Sequence, residues 1–208
     1  TGILTPSPPW ESRAPHALIG ELRRLGWADG QSVSIDWKVT AGQIERFDTL
    51  ARELVATGTD VIVAPNPNAV FAARRATASV PIVMVNTPDP VQLGLVAGLA
   101  RPGGNITGTS SLSADVSAKQ AELMKEMVPG MTRLTVMSVA TNPWHPHAVA
   151  AIASSARPLG IGPAVITAQD ARDFESAFAQ IARGGGGGIL VLADPVTFFH
   201  RASLAELR

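Results

Sequence analysis

The 208-residue sequence predicts an α/β protein built as two doubly wound parallel-sheet lobes, and three observations lead there. Short β-branched runs alternate with segments of helical period, the pattern of βαβ crossovers in a parallel sheet. The runs VIVA (61–64) and PIVMV (81–85) are apolar throughout, as strands covered on both faces require. The alternation restarts after Gly108, and ARELVATGTDVIVAPNP in the first series has a counterpart, FAQIARGGGGGILVLADP, in the second.

Taken in order, the first series opens with a strand at 3–4 and a helix at 14–25 closed by Gly26. A strand at 33–39 and a helix at 44–57 closed by Gly58 follow, then a strand at 61–64 and a helix at 69–78. Next come a strand at 82–85, a helix at 93–99 and a strand at 106–107. The helices are justified by apolar residues at 3.6 spacing, such as Leu18, Leu22 and Leu25, or Leu50, Leu54 and Val55. Small polar residues at 109–113 lead into a helix at 116–127, which Pro129 and Gly130 end. The second series pairs strand 134–139 with helix 147–159, strand 164–166 with helix 174–182, and strand 189–192 with helix 198–207. The lobes are expected at 1–112 and 113–208, with a hinge near 108–118; a single flavodoxin-like domain is the alternative.

Composition excludes several function classes. Seventeen basic and seventeen acidic residues cancel, so no general field draws the protein to nucleic acid or an anionic membrane. The absence of cysteine removes disulfides, thiolate metal sites and a cysteine nucleophile. No apolar run reaches the roughly 18 residues of a spanning helix. No signal peptide is visible, but the chain opens almost directly on a strand, so an export signal is expected to have been removed.

In an open parallel sheet, ligands bind beyond the carboxyl ends of the strands. Those ends carry TPSPPW (5–10), PNPN (65–68), NTPDP (86–90), ATNPWHP (140–146) and ADP (193–195). Four contain Asn or Asp directly before proline: Asn66, Asp89, Asn142 and Asp194. Each reads first as a helix N-cap with proline at the first helical position, worth about 1 kcal/mol. Several such helix starts facing one cleft would also aim free N–H groups at a small anion. Trp10 and Trp144, one per expected lobe, are placed to flank an apolar or aromatic ligand, or else to pack under their own loops.

Other motifs fail on context. GGNITGTS (103–110) has Thr109 where a phosphate loop needs lysine, and its glycines precede a strand. The glycines at 184–188 join a helix to a strand, at the wrong end of the sheet for a phosphate cradle, and read as a loose connection. His145 and His147 supply too few ligands for a metal and read as a surface loop. No nucleophile elbow, zinc-protease motif or dinucleotide fingerprint is present, and Asp89 has no visible base or nucleophile partner.

The runs LRRLGWADGQSVSIDWKVTAGQIERFDTLARELV and DVIVAPNPNAVFAARRATASVPIVMVNTPDPVQLGLVAGLARPGGNITGTS carry a resemblance that continues through AELMKEMVPGMTRLTVM, NPWHP and GILVLADPVTFFHRASLAEL. Together, DPV, GLV, LARPGGNITG and EMVPG resemble the substrate-binding proteins of ABC transporters, the family that includes tryptophan and tyrosine binders. The resemblance implies a type I periplasmic-binding fold, with a second lobe shorter than in many relatives. Carried over by position, its ligand loops fall on Ser7, Asn66, Asn68, Asn86, Thr87, Ser110, Asn142 and Asp194. The chain differs from the amino-acid binders in its PNPN and ADPVTF loops.

The expectation is a periplasmic or membrane-associated extracellular solute receptor of an ABC importer. It would bind a small polar or carboxylate-bearing ligand, an amino acid among the options, between its two lobes. A membrane permease is its implied partner. No catalytic residue, cofactor, metal or nucleic acid is expected, and the chain is expected to be a monomer. The alternative is an effector-sensing domain of a transcription regulator or sensor kinase.

Overall fold

The computed structural model describes residues 1–9, 13–111, 113–184 and 187–207. The chain divides into two compact units, Thr1–Ser110 and Ser111–Arg208.

The first unit runs β1 (Gly2–Thr5), α1 (Arg13–Arg24), β2 (Asp36–Val39), α2 (Arg46–Ala56), β3 (Ile62–Ala64), α3 (Pro67–Ala76), β4 (Ile82–Pro88) and β5 (Ile106–Ser111). The sheet order is β2-β1-β3-β4-β5, and β1/β2, β1/β3 and β3/β4 pair in parallel. The 3.6-period face of α2 explains the core: Phe47, Leu50, Ala51 and Leu54 are buried with Leu4, Ile62, Val70, Ile82 and Met84. Each large side chain of this kind contributes about 1.5–3 kcal/mol by leaving water. The other sheet face is less covered than the apolar runs suggest, since Val63 and Val83 are half-buried and Val85 is exposed.

The second unit runs α4 (Ser113–Met127), β6 (Arg133–Val139), α5 (His145–Ala156), β7 (Gly162–Ala168), α6 (Phe174–Arg183), β8 (Gly188–Val191), α7 (Pro195–Phe199) and α8 (Arg201–Glu206). Its sheet order is β7-β6-β8, parallel throughout. The sheet is the start of the first unit's pattern: the first strand sits in the middle, the second on one side, the third on the other.

Four expectations are corrected. Residues 93–99 form turns and bends, not a helix. Asp89, at φ 26°, therefore caps a turn: the Gln92 N–H donates to its Oδ1 (3.0 Å), and the Leu93 N–H to its carbonyl (3.0 Å). β5 does not stop at Thr107 but continues to Ser111. The single helix expected at 198–207 is two, beginning at Pro195 and interrupted at His200 (φ −96°, ψ 17°).

Two glycines mark close backbone approaches. At Gly108 (φ 138°) a Cβ would stand 1.9 Å from the Met84 carbonyl oxygen, so β5 can lie against β4 only without a side chain there. Gly187 (φ 130°) would bring a Cβ to 2.6 Å from the Arg133 carbonyl oxygen. The described end of the glycine run is thus held by a tight backbone fit, whereas a loose connection was expected; Gly185 and Gly186 lie outside the described residues.

Candidate functional site

The strand orders decide where a ligand can sit in each unit. In the first, the chain moves from β1 to β2 on one side and returns to β3 on the other, so the sheet's switch point lies at β1/β3. In the second it lies at β6/β8. A crevice opens beyond the carboxyl ends of the strands at such a point, because the flanking connections depart to opposite faces.

At the first switch point, β1 leads into Thr5 and Ser7, both buried, and the Thr5 hydroxyl donates to the Ser7 carbonyl (2.8 Å), turning the loop. β3 leads into Asn66, whose Oδ1 accepts from the Ala69 N–H (2.9 Å) and starts α3 with Pro67 at its first turn. Asn66 is the expected cap. Its Nδ2, however, is buried without a hydrogen-bond partner in the protein, and so is the Nδ2 of Asn68. Thr40 Oγ1, just past β2, and Thr87 Oγ1, near the end of β4, share that condition, and both residues are 0% exposed. A buried polar group left unmatched costs about 1–3 kcal/mol, so four along one strand-end rim need a reason.

Local backbone explains how Thr87 and Thr40 come to be there. Along β4 the burial alternates until Val85 and Asn86, which are both exposed, and Thr87 is buried next. Asn86 has φ 55°, a left-handed conformation that Asn tolerates better than most residues, and its N–H donates to Thr109 Oγ1 (3.1 Å). That residue shifts the strand's phase by one and turns Thr87 inward. Thr40 donates its N–H to the Thr5 carbonyl (3.0 Å), and Gly42 donates to the Pro6 carbonyl (3.1 Å). The loop after β2 is thereby laid on the loop after β1.

At the second switch point three side chains close a network. Asn142 Nδ2 donates to Asp194 Oδ2 (2.8 Å), joining the loops after β6 and β8 across 52 residues of sequence. Asp194 Oδ1 accepts from the Val196 N–H (2.7 Å), and the Asp194 N–H donates to Thr197 Oγ1 (3.0 Å), making the capping box that starts α7. Thr197→Val is expected to lower stability by about 1 kcal/mol in urea unfolding, by removing that box and the hydroxyl's bond to the Leu192 carbonyl. Asn142 Oδ1 accepts from the Trp144 N–H (2.9 Å), so Asn142 caps a turn ahead of α5, whose first turn has no side-chain cap.

His145 is buried within this network, not on the surface as its loop sequence suggests. Its Nδ1 accepts from the Val139 N–H (2.8 Å) and its Nε2 lies 3.2 Å from the Ala193 carbonyl. Burial pushes the Asp194 carboxyl up, against the Asn142 amide and Val196 N–H that favour its charged form. Burial likewise pushes the His145 ring down, against the Ala193 carbonyl and the Asp194 charge.

A profile of the family described as ABC transporter substrate binding protein matches residues 13–198. The chain belongs to that family.

Among this family's relatives, a tyrosine-binding protein of Clostridioides difficile is 34% identical over 126 residues, which make up 60% of this chain and 36% of that protein. The chain therefore matches little more than a third of that relative's length. A Streptococcus pneumoniae domain solved with L-Trp superposes at TM-score 0.86 with 22% identity, covering 99% of this chain and 68% of the other. A Vibrio cholerae conserved domain protein superposes equally well, at 26% identity, with 99% and 70% covered. The fold is accordingly the type I periplasmic-binding fold. The family is one of solute-binding proteins, not enzymes.

Within this family member, Ser7, Asn66, Asn68 and Thr87 lie on the first unit's rim, and Asn142 and Asp194 meet directly in the second. Asn86 and Ser110 are exposed. Trp144 is buried and stacked on His147, with ring centroids 5.3 Å apart, so it packs within its own loop. Trp10 lies outside the described residues. Sequence reasoning missed Thr40 and read the buried His145 as a surface residue. No motif flags Thr40, although the Ala41-Gly42 turn beside it, with φ 52° and 79°, marks the point where β2 must end. Among the described residues no group of three or more His, Cys, Asp or Glu could hold a metal, and no helix is long and apolar enough to cross a membrane.

Proposed function

We propose that this protein is the extracytoplasmic solute receptor of an ABC importer, binding a small carboxylate-bearing solute, with amino acids the first class to test. The observation that carries the reading is the set of buried, unpartnered groups along the carboxyl-end rim of the first unit's sheet: the Thr40 and Thr87 hydroxyls and the Asn66 and Asn68 amides. These are neutral donors, and the two amides stand at the start of α3, a combination suited to a carboxylate without a charged side chain. Within the second unit, Asp194, whose carboxyl burial pushes up, is a candidate partner for a cationic group: a cation there would return what burial costs the charged acid. The tyrosine-binding relative and the L-Trp complex support an α-amino acid as the ligand class.

The lobes at 1–112 and 113–208, the hinge near 108–118, the permease partner and the monomeric state belong to the same proposal.

Native mass spectrometry of protein purified without denaturation is expected to show a retained small acid. Calorimetry with L-tyrosine and L-tryptophan then asks whether that solute is aromatic. Absence of any retained or titrated small acid, with basic or uncharged solutes binding instead, would overturn the ligand class.

A further inference from the structure

We infer that His145 is a positioning residue for the second switch point: its neutral ring ties the end of β6 to residue 193 and so holds Asn142 and Asp194 together, and protonating the ring releases that tie. The geometry permits one tautomer. Nδ1 accepts the Val139 N–H at 2.8 Å and must carry a lone pair, so the proton sits on Nε2 and is donated to the Ala193 carbonyl at 3.2 Å. Imidazolium has N–H groups at both positions, and its Nδ1–H would face the Val139 N–H donor to donor. The ring is 2% exposed, so water cannot take over the lost bond without the loops separating.

The residue next to the tie is Asp194, whose two oxygens take Asn142 Nδ2 and the Val196 N–H. Breaking the Val139 end of the tie therefore lets the ring, with the Ala193 carbonyl it still holds, move away from β6 and frees the backbone that presents the carboxylate. Asp194 is the charged group that acts on the ring, from the loop after β8. β7 carries no titratable side chain, and Arg133 of β6 lies at that strand's opposite end. On α5 itself His147 stacks on Trp144, and from α4 Glu122, paired with Lys119, reaches Ser155 near the helix's other end. The sign follows from burial: a ring whose value is depressed by folding stabilises the loops fully above its unfolded value of about 6.5, and that contribution is lost as pH falls through the folded value.

The inference rests on the proposed function only for what Asp194 contacts; the tie itself is testable without ligand. Imidazole nitrogen NMR of the ligand-free protein, with the His145 signals identified by their loss in His145→Gln, is expected to show the Nε2–H tautomer at pH 7.5. Protection of the Val139 and Val196 amides, corrected for intrinsic exchange, is expected to fall at least about 10-fold as acidification from pH 7.5 brings the ring signals to the cationic form. His145→Gln, which can accept and donate but not titrate, should keep these amides protected across the same pH range. His145→Phe should leave them exposed throughout that range. An Nδ1–H or cationic ring at pH 7.5, or wild-type protection that does not change as the ring titrates, would overturn the inference, and both readouts use wild-type protein should a variant fail to fold. Absence of amino-acid binding would overturn the ligand reading while leaving these results standing.

Discussion

Gly108→Ala is expected to lower the stability of the first unit by about 3–5 kcal/mol, the largest effect of any substitution considered. Two penalties meet at this position. The backbone has φ 138°, where an L side chain is strained, and the new Cβ would fall 1.9 Å from the Met84 carbonyl oxygen. Backbone is the obstacle, so no rotamer change relieves it, and β5 must move away from β4. That movement also withdraws Thr109, whose hydroxyl accepts the Asn86 N–H and supports the strand turn that buries Thr87. Ligand binding should therefore fall together with stability. Gly104→Ala is the control: nothing lies within 4 Å of its Cβ, and its stability should stay within about 0.5 kcal/mol of the parent. Urea unfolding followed by circular dichroism distinguishes them, and equal midpoints for the two variants would refute the close-approach account.

The double variant Thr40→Val, Thr87→Val is expected to separate function from stability. Valine keeps each side chain's shape and removes a hydroxyl that has no partner in the protein, so the ligand-free fold should be unchanged or gain about 1–2 kcal/mol. Affinity for the retained solute should drop about 100-fold, as two ligand groups lose their partners while remaining desolvated. Calorimetry measures the second effect and urea unfolding the first. A large loss of stability in the valine forms would show instead that the hydroxyls are bonded within the fold, and the rim would lose its claim to be a binding surface. Opposed changes in affinity and stability are expected of a site that stores unmet polar groups for its ligand.

The features legible in the sequence were local. Helical period placed α2, α4 and α6 within a few residues, and the Asn66-Pro67 and Asp194-Pro195 pairs correctly marked the starts of α3 and α7. A cap is a contact between residues two or three apart, so its signature survives in the sequence. The same signature misled at Asp89 and Asn142, because an Asx side chain caps a turn as readily as a helix. The resemblance to ABC transporter substrate-binding proteins was also legible, since its motifs are contiguous runs.

Which polar side chains are buried, and what they meet, followed from the packing of distant segments. The Asn142–Asp194 bond spans 52 residues, and Gly108 is required by Met84, 24 positions earlier. Thr40 became part of the rim because the loop after β2 lies on the loop after β1, and His145 left the expected surface because β8 returns beside β6. Burial and hydrogen-bond satisfaction depend on which distant strands become neighbours, and that strand order is not written in any one segment.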